Sequence, residues 1–289
     1  MMLKGNDHKK KGKKTTITFS SVLEVLIRLV FFLIYPALFA TAFTGIKMIV
    51  KQLAAVSSIP WNPFVETLVI LLVFTIVFGR FFCGFACAFG TYGDFIYFLS
   101  TWIRKKMKKR PLHVFDKVSG FMQYLKYVVL GAVLVLCVKG EDSLINLYSP
   151  FTTFSRLHTL KLPMNRAGAG IFFAITLGMA LESRFFCRFL CPMGAVFSLM
   201  PVLPFSVIKR DRENCIKNCK ACRMACPASL DIPSTEEGDN ILSGECFGCG
   251  KCIRRCPRQN IGSTSGKTGW PVLLLFKAAL LFAAFWFIG

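Results

Sequence analysis

The sequence is poor in charge. Only 18% of its 289 residues are Asp, Glu, Lys or Arg, while 54% are hydrophobic and the mean hydropathy is +0.54. That balance excludes an ordinary soluble globule. Acid is scarcer still: 15 Asp and Glu stand against 36 Lys and Arg, for a net charge of +21. The excess of base invites a nucleic-acid reading, but base flanking apolar runs has a simpler cause in membrane topology. No nucleic-acid partner is expected. A cleavable signal pattern is also lacking. The basic stretch "KGNDHKKKGKK" leads into 22–46, too long for a signal core and without a clean small-residue cleavage site. "GSTSGKT" (262–268) is one residue short of a phosphate loop between its glycines and reads as a linker. Histidine occurs three times. His8 and His113 sit in basic, polar stretches. His158 is a lone loop histidine, a type more often neither a proton acceptor for a quinol nor a haem ligand.

What the chain has is apolar length. Runs approaching the roughly 20 residues that cross about 30 Å of hydrocarbon recur along it. The expected spans are 22–46, 64–82, 121–138, 168–182 and 270–289, the last interrupted by Lys277. Strand edges find no partners in lipid, so helices are expected. The fold class expected is an all-α polytopic membrane protein. It has four to five transmembrane helices in two pseudo-repeated hairpins, and a small cytoplasmic two-cluster ferredoxin segment of bacterial type. Arg28, Lys126 and Lys277 lie near span ends, where they are expected to snorkel. Glu66 and Glu182, also near span ends, have two readings: functional candidates, as intramembrane acids are by default, or acids that simply reach interfacial water, Glu182 with Arg184 nearby. Most of the thirty phenylalanines read as packing.

If the spans alternate, 27 Lys and Arg fall on one side and 6 on the other. By the positive-inside rule the 27-side is cytoplasmic. The expected location is the cell (inner) membrane, multi-pass, with the N-terminus and the cysteine-rich segment in the cytoplasm. The domains expected are a basic tail (1–21), a first hairpin with its interfacial helix (22–103), a basic loop (104–120), a second hairpin (121–208), the ferredoxin segment (209–269) and a C-terminal helix (270–289).

The chain repeats itself at a spacing of 104 residues. "RFFCGFACAFG" (80–90) matches "RFFCRFLCPMG" (184–194), and each copy follows an apolar run. Cysteines four apart share a helix face, with Cβ atoms roughly 5–6 Å apart. Cys83, Cys87, Cys187 and Cys191 together supply four thiolates at one membrane depth. Three readings stay open for them: one further iron–sulfur cluster, a redox dithiol in each pair, or packing of small apolar side chains. Cys137 stands alone in its span and reads as core.

Eight of the thirteen cysteines lie in the polar segment, which has too little apolar content for a core of its own. Metal can organise such a segment. The runs are Cys215-x3-Cys219-x2-Cys222-x3-Cys226-Pro227 and Cys246-x2-Cys249-x2-Cys252-x3-Cys256-Pro257. The second is the bacterial ferredoxin run, and the first has one residue more between its first two cysteines. Three close thiolates wrap one cubane, and the fourth, before proline, reaches the other. Cys215, Cys219, Cys222 and Cys256 are therefore assigned to one [4Fe–4S] cluster. Cys246, Cys249, Cys252 and Cys226 are assigned to the second. Zinc would need only two pairs, so two complete runs favour iron–sulfur.

At these residues the chain resembles the membrane-bound polyferredoxins of the NapH type. That family includes the quinol-linked membrane subunit of periplasmic nitrate reductase systems, the nitrous oxide reductase regulator and the cytochrome oxidase assembly iron–sulfur protein. Cys187, Cys191 and Pro192 match its C-x3-C-P motif in full. Ala88 stands where the first copy would have proline. The long extracytoplasmic flavin-binding domain of the regulator-type members is lacking. The resemblance implies electron transfer across or along the membrane. The expected acceptor is a quinone, or a flavin or haem protein on the outer face. The expected partners are the bilayer and the redox proteins of a respiratory complex. No catalytic acid, base or nucleophile is expected. The rival reading is a maturation or redox-regulatory factor for a respiratory enzyme.

Overall fold

A computed structural model describes residues 19–58, 61–108, 119–161, 165–203, 208–210, 215–216, 219–230, 244–258, 260–263 and 270–287. The basic tail to 18, His8, His113 and residues 264–268 of the linker lie outside the described residues. The chain runs α1 (Phe19–Ile34), α2 (Leu38–Ala54) and α3 (Pro63–Phe78), a single π-helical turn (Phe82–Ala86), then α4 (Ala88–Lys106), α5 (Ser119–Met122), α6 (Leu125–Val138), α7 (Asp142–Tyr148), α8 (Pro150–His158), α9 (Arg166–Leu181), α10 (Phe185–Phe189) and α11 (Pro192–Leu199). The cysteine-rich segment follows as β1 (Ile208–Arg210), α12 (Ala221–Ala225), α13 (Lys251–Arg255) and β2 (Ile261–Ser263), and α14 (Trp270–Trp286) ends the described chain.

The expectation of a helical protein holds. By length and composition, 120–138 is one helix able to cross a membrane, and α1 with α2 would form a second if the pair is one span. That pair is bent by 61°. The break has a local cause. Pro36 lies between the two helices and offers no N–H to a carbonyl one turn back. The run 22–46, read as one span, is thus two helices. Helices α3, α9 and α14 are apolar but shorter.

The two repeats begin alike. Asn62 caps α3, accepting from the Val65 amide at 3.1 Å, and Asn165 caps α9, accepting from Ala167 at 3.3 Å. Helix α3 stops at Gly79, whose φ of +73° suits a residue without Cβ. In the second copy the left-handed residue is Arg184, with φ +56°. An arginine there is uncommon, and its side-chain bonds, described below, hold it.

Where the copies meet, phenylalanine builds the core. The Phe89 ring lies 4.7 Å from Phe186, 5.3 Å from Phe154 and 5.7 Å from Phe151, centroid to centroid. These are edge-to-face contacts worth more than area alone. Cys137 is buried, as read. The cysteine-rich segment holds a strand pair not foreseen: β1 and β2 run antiparallel, with Lys209 opposite Gly262. Two residues of the "GSTSGKT" stretch therefore lie in a strand.

Replacing Phe89 by Ala leaves a cavity among these rings. Unfolding in detergent, followed by circular dichroism, is expected to show a loss of about 3–5 kcal/mol, with Phe89→Leu costing clearly less.

Candidate iron–sulfur sites

Each rim C-x3-C was expected on one helix face. The structure corrects this, because the helix breaks between the two cysteines. Cys83 lies in the π-helical turn and Cys187 in α10, whereas Cys87 and Cys191 are extended residues that cap α4 and α11. Both breaks are closed by a bond spanning five residues: Cys87 N–H to Phe82 O and Cys191 N–H to Phe186 O, each 2.9 Å. The backbone angles coincide, φ −72° and ψ 114° at Cys87, φ −73° and ψ 114° at Cys191. Ala88 in place of proline leaves this geometry intact.

The extended second cysteine recurs in the cysteine-rich segment, where the closing bonds are shorter in span: Cys226 N–H to Arg223 O and Cys256 N–H to Cys252 O, each 3.1 Å. Short helices α12 and α13 carry Cys222 and Cys252 and end at Cys226 (φ −77°, ψ 120°) and Cys256 (φ −68°, ψ 117°). In four of the five C-x3-C pairs the second cysteine therefore takes the same extended backbone conformation.

Cys83, Cys87, Cys187 and Cys191 line one enclosed cavity of about 20 Å³, walled by aromatic rings that include Phe82, Phe89 and Phe186. Burial raises the Cys87 thiol pKa, and Cys187 and Cys83 raise it further. Burial likewise raises Cys191, with Cys187 and Cys83 adding to it. The Cys191 Sγ accepts from the Gly194 amide at 3.2 Å. Among the described residues no three Cys, His, Asp or Glu side chains converge tightly enough for a single metal ion. The thiols surround a space instead.

In the cysteine-rich segment Cys226 comes to Cys246, Cys249 and Cys252. Burial pushes the Cys246 thiol up to about 12, with Cys249 and Cys226 adding to it against the Gly248 amide. It raises Cys252 as well, helped by Cys249, Cys246 and Cys226. Positive φ at Gly248 (+59°) and Gly250 (+63°) lets the chain wrap around Cys249. Cys222 and Cys252 are buried in a second small core with Ile208, Ile261 and Trp270, and Cys246 and Cys256 pack against it. Cys215 and Cys219 are half-buried. Raised thiols bind metal by releasing protons, so loading of these sites is coupled to pH.

The charged residues around the rim were missed as functional groups. Arg80 and Arg184 stand 104 residues apart in the repeat, which was the available signal. The Arg184 guanidinium binds the Asp94 carboxylate through Nε (2.9 Å) and Nη2 (2.6 Å), and donates to the carbonyls of Gly84 (3.0 Å) and Cys83. Arg28 reaches the same carboxylate at 3.0 Å. Burial opposes the charge on Arg184, but Asp94 and the Cys187 thiol outweigh it and raise its pKa. Arg80 donates to Glu245 at 3.1 Å, and Lys126 pairs with the other oxygen of Glu245. Lys126 is thus fully buried rather than snorkelling. Arg28 is turned inward over Phe85, and Lys277 is buried beside Phe78. Glu182, expected at interfacial water on one of its two readings, is buried and pairs with Arg188 at 3.2 Å. His158 packs against Phe32, ring centroids 5.4 Å apart.

Phe247, between the first two cysteines of the second run, enters this charged layer. The Arg80 guanidinium lies 4.8 Å from its ring centre and that of Arg184 5.5 Å. A Cβ on Gly84 would overlap the Phe247 carbonyl oxygen. The cysteine-rich segment therefore docks onto the seam between the two copies.

A 4Fe-4S binding domain family matches residues 67–110 and again 166–208, the two rim copies, and a 4Fe-4S dicluster domain family matches 214–261. The chain is 32% identical over 200 residues to an uncharacterized protein of Methanocaldococcus jannaschii, covering 67% of this chain and 76% of that one. It belongs to the NapH-type polyferredoxin family. It is 29% identical over 193 residues to the methylamine utilization ferredoxin-type protein MauN of Paracoccus denitrificans (63% and 61% covered). It is 23% identical over 194 residues to the ferredoxin-type protein NapH of Haemophilus influenzae (65% and 63% covered). No solved structure matches. The chain is thus an iron–sulfur protein of an electron-transfer family.

The Asp94 carboxylate yields a pH prediction. Burial would raise its pKa, but Arg184, Lys251 and Arg28 lower it to about 2. Its contribution is full above an unfolded value near 3.9 and is lost as pH falls through about 2. Asp94→Asn is expected to cost on the order of 2 kcal/mol at pH 7, and the gap to wild type is expected to close between about pH 4 and pH 2. Unfolding in detergent at a series of pH values measures it.

Proposed function

We propose that the chain is an integral membrane electron carrier. It passes electrons between a cytoplasmic redox protein and a quinone, or a flavin or haem protein, beyond the rim. The observation that carries this reading is the backbone conformation shared by Cys87, Cys191, Cys226 and Cys256, which close two C-x3-C pairs at the rim and two in the cysteine-rich segment. The residues of the cysteine-rich segment fit two [4Fe–4S] clusters. Cys246, Cys249, Cys252 and Cys226 hold one, as their convergence supports, and Cys215, Cys219, Cys222 and Cys256 hold the other. Cys83, Cys87, Cys187 and Cys191 hold a third iron–sulfur group. Bound clusters supply one-electron transfer that needs no acid–base residue. The chain's own part is to bury the thiols, exclude water with phenylalanine and fix the distance between sites by seating Phe247 in the rim.

Exposed apolar side chains support the membrane reading. On α1, Leu26, Leu29 and Leu33 are all exposed, as are Phe95, Phe98 and Trp102 on α4. Lipid would cover such faces. In this reading α3, α9 and α14 cross with the longer helices, and the basic side faces the cytoplasm. An apolar cavity of about 750 Å³, lined by Val133, Leu136, Ile145 and Leu190 among others, lies beside the rim. Phe151 and Phe186 wall both it and the four-thiol cavity. It is of a size and polarity to take a quinone ring.

The test is anaerobic purification with assay of iron and acid-labile sulfide, and EPR after dithionite reduction. About twelve irons per chain are expected, four for each cubane. Cys187→Ser is expected to remove about four and to leave the ferredoxin-type signals unchanged. About eight irons in the wild type would remove the rim group from the reading, and zinc without sulfide would overturn it entirely. Leu190→Trp, which fills the apolar cavity, is expected to slow cluster reduction by quinol at least about tenfold without changing iron content.

A further inference from the structure

The charges around the four rim cysteines do not balance. Asp94 is shared by two cations, Arg28 and Arg184. Glu245 is likewise shared by Arg80 and Lys126. Each group of three carries one positive charge in excess, and each includes one copy's arginine. An uncompensated buried charge is costly. Two such groups beside one cavity, which Arg80 itself lines, call for an anion there.

The arginines also cross. Arg184 belongs to the second copy but donates to Cys83 O and Gly84 O of the first. A Cβ on Gly90 would lie 2.6 Å from its Nη1. Arg80 belongs to the first copy, and its Nη2 lies 3.1 Å from where a Cβ on Gly194 of the second would stand. The two glycines, 104 residues apart, leave room for the guanidinium of the opposite copy. Arg184 uses all its N–H-bearing nitrogens. Arg80 is 1% exposed and lines the four-thiol cavity, yet its Nε and Nη2 have no partner. Buried guanidinium N–H groups seldom go unpaired.

We propose that this crossed arginine pair is a charge-compensating cradle for an anionic, four-thiolate iron–sulfur group at Cys83, Cys87, Cys187 and Cys191, and that Arg80 in particular raises its reduction potential. The proposal rests on the rim-cluster reading above. Hydrogen bonds and positive charge near cluster sulfurs favour the more reduced, more negative state. The step affected is the addition of one electron, supplied by quinol at the neighbouring apolar cavity or by dithionite in the titration, with no bond formed or broken within the cluster site. Arg80 is a positioning and tuning residue here, and not a ligand.

Arg80→Gln and Arg80→Lys, purified anaerobically, are to be compared with wild type by iron and sulfide content and by EPR-monitored redox titration. In Arg80→Gln the midpoint of the rim signal is expected to fall, or its iron to be lost, with a smaller fall for the cluster of Cys246, beside which Arg80 also stands, and no change for that of Cys215, Cys219 and Cys222. Arg80→Lys, which keeps the charge, is expected to hold full iron with a midpoint between the other two. An unchanged rim midpoint in Arg80→Gln with full iron would overturn the proposal. So would loss of the rim iron in both variants, since shape rather than charge would then matter. A wild type without a rim signal would instead bring down the underlying cluster reading before any variant is compared.

Discussion

Two guanidinium groups packed against one phenylalanine ring fix how the parts of this molecule meet. Arg80 and Arg184 come from the two copies of the repeat, and Phe247 comes from the cysteine-rich segment. A guanidinium in an apolar interior is tolerated only when its charge and donors are met. Asp94 and Glu245 meet the charge in part, and backbone carbonyls meet several donors. Glu245 and Phe247 both flank Cys246. The ion pair, the cation–π contacts and the first cysteine of the second run therefore form one unit, and seating the segment at the rim also sets where its thiols lie.

The rim itself is shaped by what it omits. Gly84 leaves room for the Phe247 carbonyl, and Gly90 and Gly194 for a guanidinium each. The helix cannot continue through Cys87 or Cys191 without moving the second thiol around the helix axis, away from the cavity. A five-residue hydrogen bond gives the break a closed geometry in both copies. Such bulges often mark functional sites in helices.

Much of this was legible in the sequence. The two ferredoxin runs, the repeat at 104 residues and the helical class all rest on local patterns of cysteine spacing and apolar length. The crossed membership proposed for Cys226 rests on the C-x3-C-P end of the first run, whose spacing departs by one residue from the bacterial run. What could not be read was anything decided by long-range pairing. Lys126 and Arg28 look like span-end residues that reach for water. They turn inward because Glu245, 119 residues away, and Asp94, 66 residues away, lie there to receive them. The bend at Pro36 was legible in principle, but apolar content on both sides masked it. Glu182 read as an interfacial acid because its partner Arg188 lies beyond the helix end, across the break at Arg184.

The proline missing from the first rim motif is instructive in the same way. By sequence Ala88 makes that copy look degenerate, which lends some weight to a divergent role. Proline at the first position of a helix spares an amide that has no partner and presets its φ. It assists the break but does not create it. In the first copy the Cys87 amide reaches back to the Phe82 carbonyl, and Thr91 returns both its amide (3.0 Å) and its hydroxyl (3.2 Å) to the Cys87 carbonyl. The extended cysteine is thus fixed from both sides without the ring. A motif defined by its proline would discard this copy, whereas one defined by the cysteine's backbone angles keeps it, beside Cys191, Cys226 and Cys256.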